Sequence, residues 1–290
     1  MVGACRARAG SRRGLPARRL LLNKGKVMDY AQEMVGKRVV ITGACGIIGG
    51  WLAEAFGRAG AKLCLTDARA EPLQALTSAP WFTESSFVLT TDLRDAEAIE
   101  AMAAEVGKRW GAADVLVNNA GIYPSGFLLD VDAAEWDRIF DINLRAPFLL
   151  SRAFAKLMIA QGVKGNIINI SSGAARKMRR TACPYSTSKT ALDRLTKGFA
   201  IELAEYGIRA NALEPGFAAG SDVSQLTQAH VDNVIANIPA GRPTSPQDVG
   251  NAALFLASSA SAYITGASLP VDGGNSIGSL AVYQDKKHAL

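Results

Sequence analysis

The sequence has few of the residues that bind metals or form disulfide frameworks. Its 290 residues include four cysteines and two histidines, and no two cysteines stand in a CxxC pair. A zinc site or a disulfide-stabilised secreted fold normally shows such spacing. We therefore expect free thiols, a reducing compartment and no catalytic metal.

Long hydrophobic runs are also absent, because charged residues interrupt each apolar stretch well before the ~18 residues of a membrane-spanning helix. Hydrophobic residues make up 49% of the chain and charged residues 20%, a balance that is typical of globular proteins. No apolar segment near the start is followed by a small-residue cleavage site, which argues against secretion. These absences predict a soluble cytoplasmic protein with no membrane partner.

Acidic side chains are missing from residues 1–28, a segment with eight basic ones. Without that segment the totals of 32 basic and 26 acidic residues become 24 and 26, so the remaining chain is slightly acidic. The net charge of +6 is therefore no argument for nucleic-acid binding. Residues 1–33 are treated as a basic N-terminal extension outside the fold: sequence upstream of the true start, an organellar targeting peptide that would change the location, or a binding tail.

Short runs rich in Val, Ile and Leu alternate with helix-length segments along the rest of the chain. Such alternation predicts right-handed crossovers and an α/β fold, a Rossmann-type doubly wound parallel sheet of about seven strands with helices on both faces. We expect a single domain over residues 34–275 and a C-terminal tail over 276–290. In residues 216–240, Gly and Ala give way to a polar helix pattern, and the segment is interpreted as a mobile segment over a site, or as a surface excursion. The predicted strands are Arg38–Thr42, Lys62–Thr66, Ser86–Thr90, Val115–Asn118, Asn166–Ser171, Arg209–Leu213 and Ser268–Val271, and the predicted helices are Ile48–Arg58, Ala96–Arg109, Ala134–Ala160, Pro184–Glu205 and Gln247–Ser258.

A glycine-rich turn lies between the first predicted strand and the first predicted helix, with the sequence TGACGIIG over residues 42–49. Glycines in this place permit a tight turn and let backbone N–H groups approach a pyrophosphate at the helix N-terminus. The turn therefore predicts a dinucleotide site. Its candidate binding residues are Thr42, Gly43, Gly46, Ile47, Ile48 and Gly49.

Asp67 ends the second predicted strand, 24 residues after Gly43. A carboxylate in that place accepts hydrogen bonds from the adenosine ribose hydroxyls of NAD and repels the 2′-phosphate of NADP. Arg69 argues the other way, because an arginine nearby can bind that phosphate. On balance we expect NAD, with NADP as the less favoured coenzyme, in the domain over 34–275.

Tyr185 and Lys189 share one face of a predicted helix, four residues apart. A phenol with a pKa of ~10 is a poor base at neutral pH, and an ammonium at ~4 Å supplies about the 4 kcal/mol needed to lower that pKa by three units. Ser171-Ser172 at the end of a predicted strand can hydrogen-bond a reacting oxygen. Asn118-Asn119-Ala120-Gly121 and Asn143 fall at or near the same edge of the predicted sheet, the binding edge of such folds.

These motifs together resemble the short-chain dehydrogenase/reductase family, in its compact single-domain branch. The resemblance covers about residues 35–275 and rests on NNAG at 118–121, Ser172 with YxxxK at 185–189, PG at 215–216 and a tail from Tyr263 through Gly274. It implies an NAD(P)-dependent oxidoreductase that transfers a hydride between a nicotinamide coenzyme and a secondary alcohol or ketone, with Tyr185 as the general acid/base and no metal.

The resemblance also implies roles for individual residues. Ser172 would polarise the substrate oxygen, Lys189 would lower the pKa of Tyr185 and hold the nicotinamide ribose, and Asn143 would anchor a water in the proton relay. Asp92 would lie beside the adenine, and Pro215-Gly216 beside the nicotinamide. The implied catalytic residues are Ser172, Tyr185, Lys189 and Asn143, and the implied coenzyme-binding residues are Thr42, Gly43, Gly46, Ile47, Ile48, Gly49, Asp67, Asp92, Leu93, Asn119, Ala120, Gly121, Tyr185, Lys189, Pro215, Gly216 and Ala218.

Two departures from the family pattern keep alternatives open. The family loop TGxxxGxG would place glycine at 47, where this chain has Ile47, and the spacing of Gly43, Gly46 and Gly49 resembles that of epimerases and dehydratases acting on nucleotide sugars. Gly220 stands where relatives often have a threonine on the nicotinamide amide, so that contact could pass to Ser221. The alternatives are an NAD-dependent epimerase or dehydratase on a sugar-like substrate, and a coenzyme-binding protein without catalysis.

The substrate and the assembly are less constrained by the sequence. Arg176, Lys177, Arg179 and Arg180 between Ser172 and the tyrosine could favour an anionic substrate, or could form a solvated loop. Glu214 could pair with one of these arginines, although a strand-end carboxylate in water is the favoured interpretation. Family members form homodimers or homotetramers through the two long helices, so we expect one of these assemblies.

Overall fold

Seven strands form one parallel sheet in a computed structural model that describes residues 30–220, 227–278 and 280. The strands are β1 (Arg38–Thr42), β2 (Lys62–Asp67), β3 (Phe87–Thr90), β4 (Val115–Asn118), β5 (Asn166–Ile170), β6 (Arg209–Pro215) and β7 (Ser268–Val271). Their order across the sheet is β3-β2-β1-β4-β5-β6-β7, and all neighbouring pairs are parallel. The chain runs outward from β1 to one edge, returns to β4 and continues to the other edge, which confirms the predicted doubly wound fold.

The helices lie on both faces of this sheet. They are α1 (Ile47–Arg58), α2 (Ala70–Ala75), α3 (Ala96–Trp110), α4 (Ala133–Phe140), α5 (Ala146–Ala160), α6 (Cys183–Leu203), α7 (Gln228–Ala236) and α8 (Pro246–Ala257). The helix predicted over 134–160 is confirmed as a helical segment, but a π-helical turn at Asp141–Arg145 divides it into α4 and α5. Helix α2 was not predicted because six residues are too short to show a helical period.

Two apolar layers hold the helices against the sheet. In β1, Val39 and Ile41 face the layer formed with α1 and α8, while Val40 faces the layer formed with α3 and α5. This alternation follows from the two-residue period of a strand, and burial on both faces explains why each strand reads as a continuous apolar run. Each fully buried Leu, Ile or Phe contributes roughly 1.5–3 kcal/mol.

The ends of the described chain modify the predicted boundaries slightly. Tyr30 packs edge-on against Phe255 of α8, and the Glu33 carboxylate accepts hydrogen bonds from the backbone N–H and hydroxyl of Ser259. Residues 30–33 therefore contact the domain, although they were expected in the extension. Residues 1–29, Ser221 and most of the tail expected at 276–290 lie outside the described residues, as do residues 222–226 of the segment interpreted as mobile.

The carboxyl ends of the strands place the candidate residues along one edge of the sheet. Thr42 is in register with Thr66 of β2, and Asn118 with Asn169 of β5. The order reverses between β1 and β4, and ligands of open α/β sheets bind at such a reversal. No helix among the described residues combines the length and the apolar character needed to cross a membrane.

Candidate active site

The glycine-rich turn between β1 and α1 needs glycine at its first and last positions. Gly43 has φ +65°, and a Cβ there would lie 2.8 Å from the Cα of Ala120. A Cβ on Gly49 would lie 2.1 Å from the carbonyl oxygen of Gly43. Gly46 is the N-cap of α1, and no side chain caps the N–H groups of that first turn. Ile47 and Ile48 begin the helix, so this close-packed turn with free N–H groups fits a pyrophosphate.

Asn119 and Thr42 hold the turn in place. The Asn119 amide donates to the carbonyl oxygens of Thr42 (2.8 Å) and Gly43 (3.0 Å). The Thr42 hydroxyl in return accepts the backbone N–H groups of Asn119 and Ala120, both at 3.0 Å. The NNAG segment therefore clamps the glycine-rich turn, whereas Asn118 donates inward to Ser151 and Asn169 in a buried network.

Asp67 lies beside the turn at the end of β2. Its carboxylate accepts the backbone N–H groups of Cys45 and Arg69 at 3.1 Å, and pairs with the Arg69 guanidinium at 3.0 Å. Burial opposes ionisation, but these hydrogen bonds win and hold the pKa of Asp67 below its usual range. The carboxylate that is expected to bind the adenosine ribose is thus already paired with Arg69.

The remaining predicted coenzyme residues are distributed along the same edge. Asp92 pairs with Arg94 at 2.6 Å and is half exposed, whereas Leu93 is nearly buried and packs in the layer of α3 and α5. Gly216 follows the buried end of β6 and donates its N–H to Val271. A Cβ on Gly216 would lie 2.4 Å from the Thr244 hydroxyl. Ala218 is half-buried two residues later.

Tyr185 lies in the first turn of α6 with Ser172 and Tyr123 beside it. The Tyr185 ring contacts the Tyr123 ring edge-on, with centroids 6.1 Å apart. Burial raises the pKa of Tyr185 above its usual value, while a hydrogen bond to Ser172 and the charge of Arg179 lower it in part. Ser172 also accepts the backbone N–H of Ala174, which fixes its side chain at the end of β5.

Lys189 lies one turn further along α6 and is almost fully buried. Its ammonium donates to the carbonyl oxygen of Ile170 at 2.8 Å and lies 5.8 Å from the centroid of the Tyr185 ring. Burial lowers the pKa of Lys189 to about 8. We expected Lys189 to lower the pKa of Tyr185. The pKa is instead raised, because burial of the phenol outweighs the charges around it.

Asn143 lies in the π-helical turn and is fully buried. Its Oδ1 accepts the N–H of Ile122 at 2.9 Å, and its Nδ2 donates to the Ile122 carbonyl at 2.8 Å and to the Ser188 hydroxyl at 3.1 Å. Both amide hydrogens are therefore used within the protein. Asn143 ties the loop after β4 to α6, and the expected anchoring of a water stays a prediction.

A cavity of about 630 Å³ opens between the loop after β4 and the loop after β5, and its lining ends at Cys183, two residues before Tyr185. Thr181 joins the two loops across it: its carbonyl accepts the N–H of Gly126 at 3.0 Å, and its hydroxyl accepts from Ser125 at 3.0 Å. Thr181 has φ +69°, a left-handed conformation that a β-branched residue rarely adopts. The cavity is lined by Phe127, Leu128, Leu129, Asp130, Met178, Arg179, Arg180, Thr181 and Cys183.

The basic run after Ser172 divides into two pairs with different surroundings. Arg176 forms an ion pair with the fully buried Glu214, and Lys177 donates to Asn275. Arg179 and Arg180 instead line the cavity, with Arg180 stacked over Phe127 at 5.1 Å. The favoured expectation of Glu214 in water was wrong, because the strand end lies beneath the loop that carries Arg176.

Sequence reasoning missed Thr181, Ser188 and Tyr123. No motif marks any of them, and only the strained backbone of Thr181, the hydroxyl of Ser188 and the ring contact of Tyr123 reveal them in three dimensions. Among the described residues, no three His, Cys, Asp or Glu side chains cluster in a way that could hold a metal ion.

Comparison with known proteins agrees with this geometry. Residues 43–276 match the family model described as enoyl-(acyl carrier protein) reductase. A 3alpha-hydroxysteroid dehydrogenase of Mediterraneibacter gnavus is 38% identical, with 82% of this chain and 96% of that protein covered. A galactitol 2-dehydrogenase of Agrobacterium fabrum is 34% identical over 82% of this chain and 97% of its own.

A solved structure extends the similarity to three dimensions. The gluconate 5-dehydrogenase of Burkholderia cenocepacia, in complex with NADP and tartrate, is 33% identical and superposes with a TM-score of 0.79, covering 86% of this chain and all of its own. These relatives are dehydrogenases, so the epimerase or dehydratase alternative is not favoured. The chain belongs to the short-chain dehydrogenase/reductase family, and it is a nicotinamide-dependent oxidoreductase that acts on secondary alcohols and ketones.

Proposed function

We propose that Tyr185 transfers the proton of the reaction, with Ser172 binding the substrate oxygen beside it. The observation that carries this proposal is the buried ammonium of Lys189, which lies 5.8 Å from the centroid of the Tyr185 ring at the binding edge of the sheet. Ser172 acts on the same phenol and lowers its pKa in part. When bound, the nicotinamide coenzyme supplies or accepts the hydride. A phenol is protonated at neutral pH, and burial raises the pKa of Tyr185 further, so Tyr185 carries the proton that it would donate to a ketone oxygen.

The reverse reaction requires Tyr185 to accept a proton from an alcohol. Two groups favour the phenolate, the Ser172 hydroxyl and the Arg179 charge, and the Lys189 ammonium lies 5.8 Å from the centroid of the same ring. Lys189 remains largely protonated below its pKa of about 8, so its charge is present at neutral pH. Its hydrogen bond to Ile170 fixes that charge under the ring, and Asn143 fixes the loop that faces it.

NAD is the proposed coenzyme, with the glycine-rich turn of residues 42–49 around the pyrophosphate and Asp67 on the adenosine ribose. The negative charge of Asp67 disfavours a 2′-phosphate, and Arg69 already pairs with that carboxylate. A 2′-phosphate would have to draw Arg69 away before it could pair with it. The gluconate 5-dehydrogenase that superposes on this chain carries NADP, so this preference is a property to be tested here.

The proposed substrate is a small secondary alcohol with an anionic group. Arg179 and Arg180 line the cavity between the two loops, and the Arg179 charge also acts on Tyr185. A guanidinium binds a carboxylate bidentately. One structural relative is a gluconate 5-dehydrogenase in complex with tartrate, whereas galactitol, the substrate named for another relative, is uncharged. Phe127 and Leu128 add apolar surface to the same cavity.

A homodimer or homotetramer formed through α5 and α6 is the proposed assembly. Phe148, Ile159 and Ile201 on these helices expose apolar side chains, and such surfaces mark contacts between protein chains. A cytoplasmic location is proposed from the free thiols, with an organelle as the alternative if residues 1–33 are a targeting peptide.

The Tyr185→Phe variant tests the proposed mechanism. Loss of the hydroxyl should lower kcat by about 10² to 10⁴, the usual contribution of general acid/base catalysis, while coenzyme binding stays within about twofold. The assay follows the absorbance of the reduced nicotinamide with gluconate, galactitol and a 3α-hydroxysteroid, each with NAD and with NADP. Full activity of Tyr185→Phe would exclude the proposed role, and faster turnover of galactitol than of gluconate would exclude the anionic preference.

A further inference from the structure

Glu214 is a fully buried carboxyl group at the end of β6, immediately before Pro215. The Nε of Arg176 lies 2.7 Å from its Oε2 and forms an ion pair with it. Asp193 of α6 faces the same carboxyl group, and burial together with the charge of Asp193 raises the pKa of Glu214. We call Arg176, Asp193 and Glu214 the acid–arginine cluster.

The cluster is electrostatically unusual. Two carboxyl groups in contact cannot both ionise easily, and a buried charge without a partner is strongly unfavourable. The Arg176 side chain is 37% exposed, so its guanidinium spans from solvent to the buried pair and balances one negative charge. The other charged groups that face the cluster are Asp272, whose pKa the Arg176 charge helps to lower, and Lys189, whose pKa the Asp193 charge raises.

The three residues belong to the three segments that build the reaction centre. Arg176 follows Ser172 by four residues, Asp193 lies one helical turn beyond Lys189, and Glu214 precedes Pro215-Gly216 directly. Further contacts strengthen the connection to β7: the Ser268 hydroxyl donates to Asp193 at 3.2 Å, and Arg176 donates to the Ser268 carbonyl at 3.4 Å. The cluster thus joins the loop after β5, helix α6 and the end of β6 at one point.

We propose that the three residues of the acid–arginine cluster are positioning residues for the reaction. By balancing one another's charges, they fix the relative positions of Ser172, Tyr185 and the Pro215-Gly216 segment. The inference rests on the proposed roles of Ser172 and Tyr185. The inference gives the basic residues after Ser172 two different roles. Arg176 connects its loop to the buried Glu214, whereas Arg179 and Arg180 supply positive charge to the cavity.

Charge balance makes a specific prediction that packing alone does not. Without Arg176, the fully buried Glu214 and the half-buried Asp193 face each other without the cation that pairs with Glu214. One of the two carboxyl groups must then take up a proton, or α6 must move away from the end of β6. A displacement of about 1 Å at a reaction centre can lower the rate by roughly a hundredfold. Removal of one of the two acids should then restore the balance even though it removes a further native contact.

The test compares Arg176→Met, Arg176→Lys and the double variant Arg176→Met/Glu214→Gln. We expect Arg176→Met to lower kcat by roughly ten- to a hundredfold, with the KM for coenzyme changed by less than about threefold, and Arg176→Lys to retain most of the activity. Glu214→Gln in the Arg176→Met background should restore at least half of the lost log(kcat). The assay uses the fastest substrate of the panel given above. Thermal unfolding without coenzyme should show the same order of the three variants.

Arg194→Met is the matched control, because it removes the same charge from α6 next to Asp193 but is exposed and outside the cluster. It should leave kcat unchanged. Normal kcat in Arg176→Met, or a double variant no better than Arg176→Met, overturns the inference. Should Arg176→Met fail to fold, the comparison of Arg176→Lys with the double variant decides it. Inactivity of wild-type protein, or full activity of Tyr185→Phe, would instead count against the proposed function, so the two failures are distinguishable.

Discussion

Thr181 is the residue where local preference and tertiary structure disagree most. A non-glycine residue in the left-handed region is strained by roughly 1–3 kcal/mol, and β-branching makes the conformation rarer still. Thr181 keeps it because its carbonyl and hydroxyl are both engaged, with Gly126 and Ser125 on the opposite loop. Strain of this kind persists only where the surroundings enforce it, and here it holds the two walls of the cavity together.

Replacing Thr181 with serine should keep the connection and relieve part of the strain. We expect Thr181→Ser to raise the free energy of unfolding by about 0.5–1 kcal/mol and to leave the substrate KM unchanged. Thr181→Ala relieves the same branching but removes the hydroxyl, so it should raise the substrate KM. Denaturant unfolding and steady-state kinetics of the pair isolate the hydroxyl. A Thr181→Ser variant less stable than wild type would contradict the strained conformation.

Asp67 should govern the choice of coenzyme. Asp67→Asn keeps an acceptor for the Cys45 N–H but removes the charge, and it frees Arg69 to pair with a 2′-phosphate. We expect the ratio of kcat/KM for NADP to that for NAD to rise about tenfold or more, equivalent to roughly 1.4 kcal/mol. Asp92→Asn is the matched control, because Asp92 pairs with Arg94 in the same Asp-x-Arg arrangement. The control should affect both coenzymes equally, and an unchanged ratio in Asp67→Asn would rule out charge as the cause of the preference.

The sequence predicted those site residues whose role depends on the backbone or on a fixed spacing along the chain. The glycine-rich turn, Tyr185 with Lys189, and Ser172 could be found because strand ends and helix starts are visible in the sequence. The partnership of Arg176 with Glu214, and the strain of Thr181, depend on which loops meet above the sheet. The sequence around a carboxylate at a strand end does not indicate whether water or a loop covers it. The burial of Glu214 was therefore not predicted.

At the scale of elements, the π-helical turn between α4 and α5 is the main departure from the predicted pattern. One additional residue per turn shifts the helix face without changing its apolar composition, so hydrophobic periodicity does not reveal it. The turn directs Asn143 inward, to the backbone of Ile122 and the hydroxyl of Ser188. Helical irregularities of this type occur frequently at functional sites, and here the turn joins the loop after β4 to helix α6.

The Asn143→Ala variant measures what this connection contributes. It leaves the N–H and carbonyl of Ile122 without their partner inside the protein, so the free energy of unfolding should fall by about 2–3 kcal/mol. We expect kcat to fall with it, because the loop after β4 carries Asn119 and Gly121. Asn237→Ala removes an exposed amide at the end of α7 and should change neither quantity. Wild-type stability in Asn143→Ala would show that the loop holds its position without the amide.

The sheet itself was predictable at this scale because each buried strand is a short apolar run. Strand bounds differ from the prediction mainly at the ends of β5 and β6, where Ser171 falls outside its strand while Glu214 and Pro215 extend theirs. The short helix α2 lacked a signal, and the order of strands followed from chain alternation and right-handed crossovers. Elements that bury apolar faces were therefore predicted well, and elements defined by hydrogen bonds alone were not.

At the scale of the whole molecule, the dependence of stability on pH comes from groups that the fold buries, and not from exposed ion pairs. Most ion pairs among the described residues are exposed, such as Arg58–Glu54 and Arg109–Glu105, and exposed pairs contribute about 0–1 kcal/mol each. Lys189 differs because it is 4% exposed and its ammonium is held by a single backbone carbonyl. Its titration should therefore be visible in the stability of the entire domain.

Burial lowers the pKa of Lys189 from 10.5, the ordinary lysine value, to about 8. The unfolded chain thus binds this proton more tightly than the folded protein does, so stability rises with pH between those two values. The contribution should be about 2 kcal/mol between pH 8 and pH 10. Lys189→Met has no such proton to lose. We therefore expect the stability of wild type, relative to Lys189→Met, to increase across this range in denaturant unfolding of the coenzyme-free protein.

Lys156→Met provides the matched control. It makes the same change of charge and volume as Lys189→Met, but Lys156 is exposed on α5. Its stability should follow that of wild type in parallel at every pH. Parallel curves for wild type and Lys189→Met would mean that the ammonium is as well solvated when folded as when unfolded. An ammonium that is shielded from water beneath the Tyr185 ring must have a lowered pKa. Parallel curves would therefore exclude a desolvated Lys189 cation as the group on which Tyr185 depends.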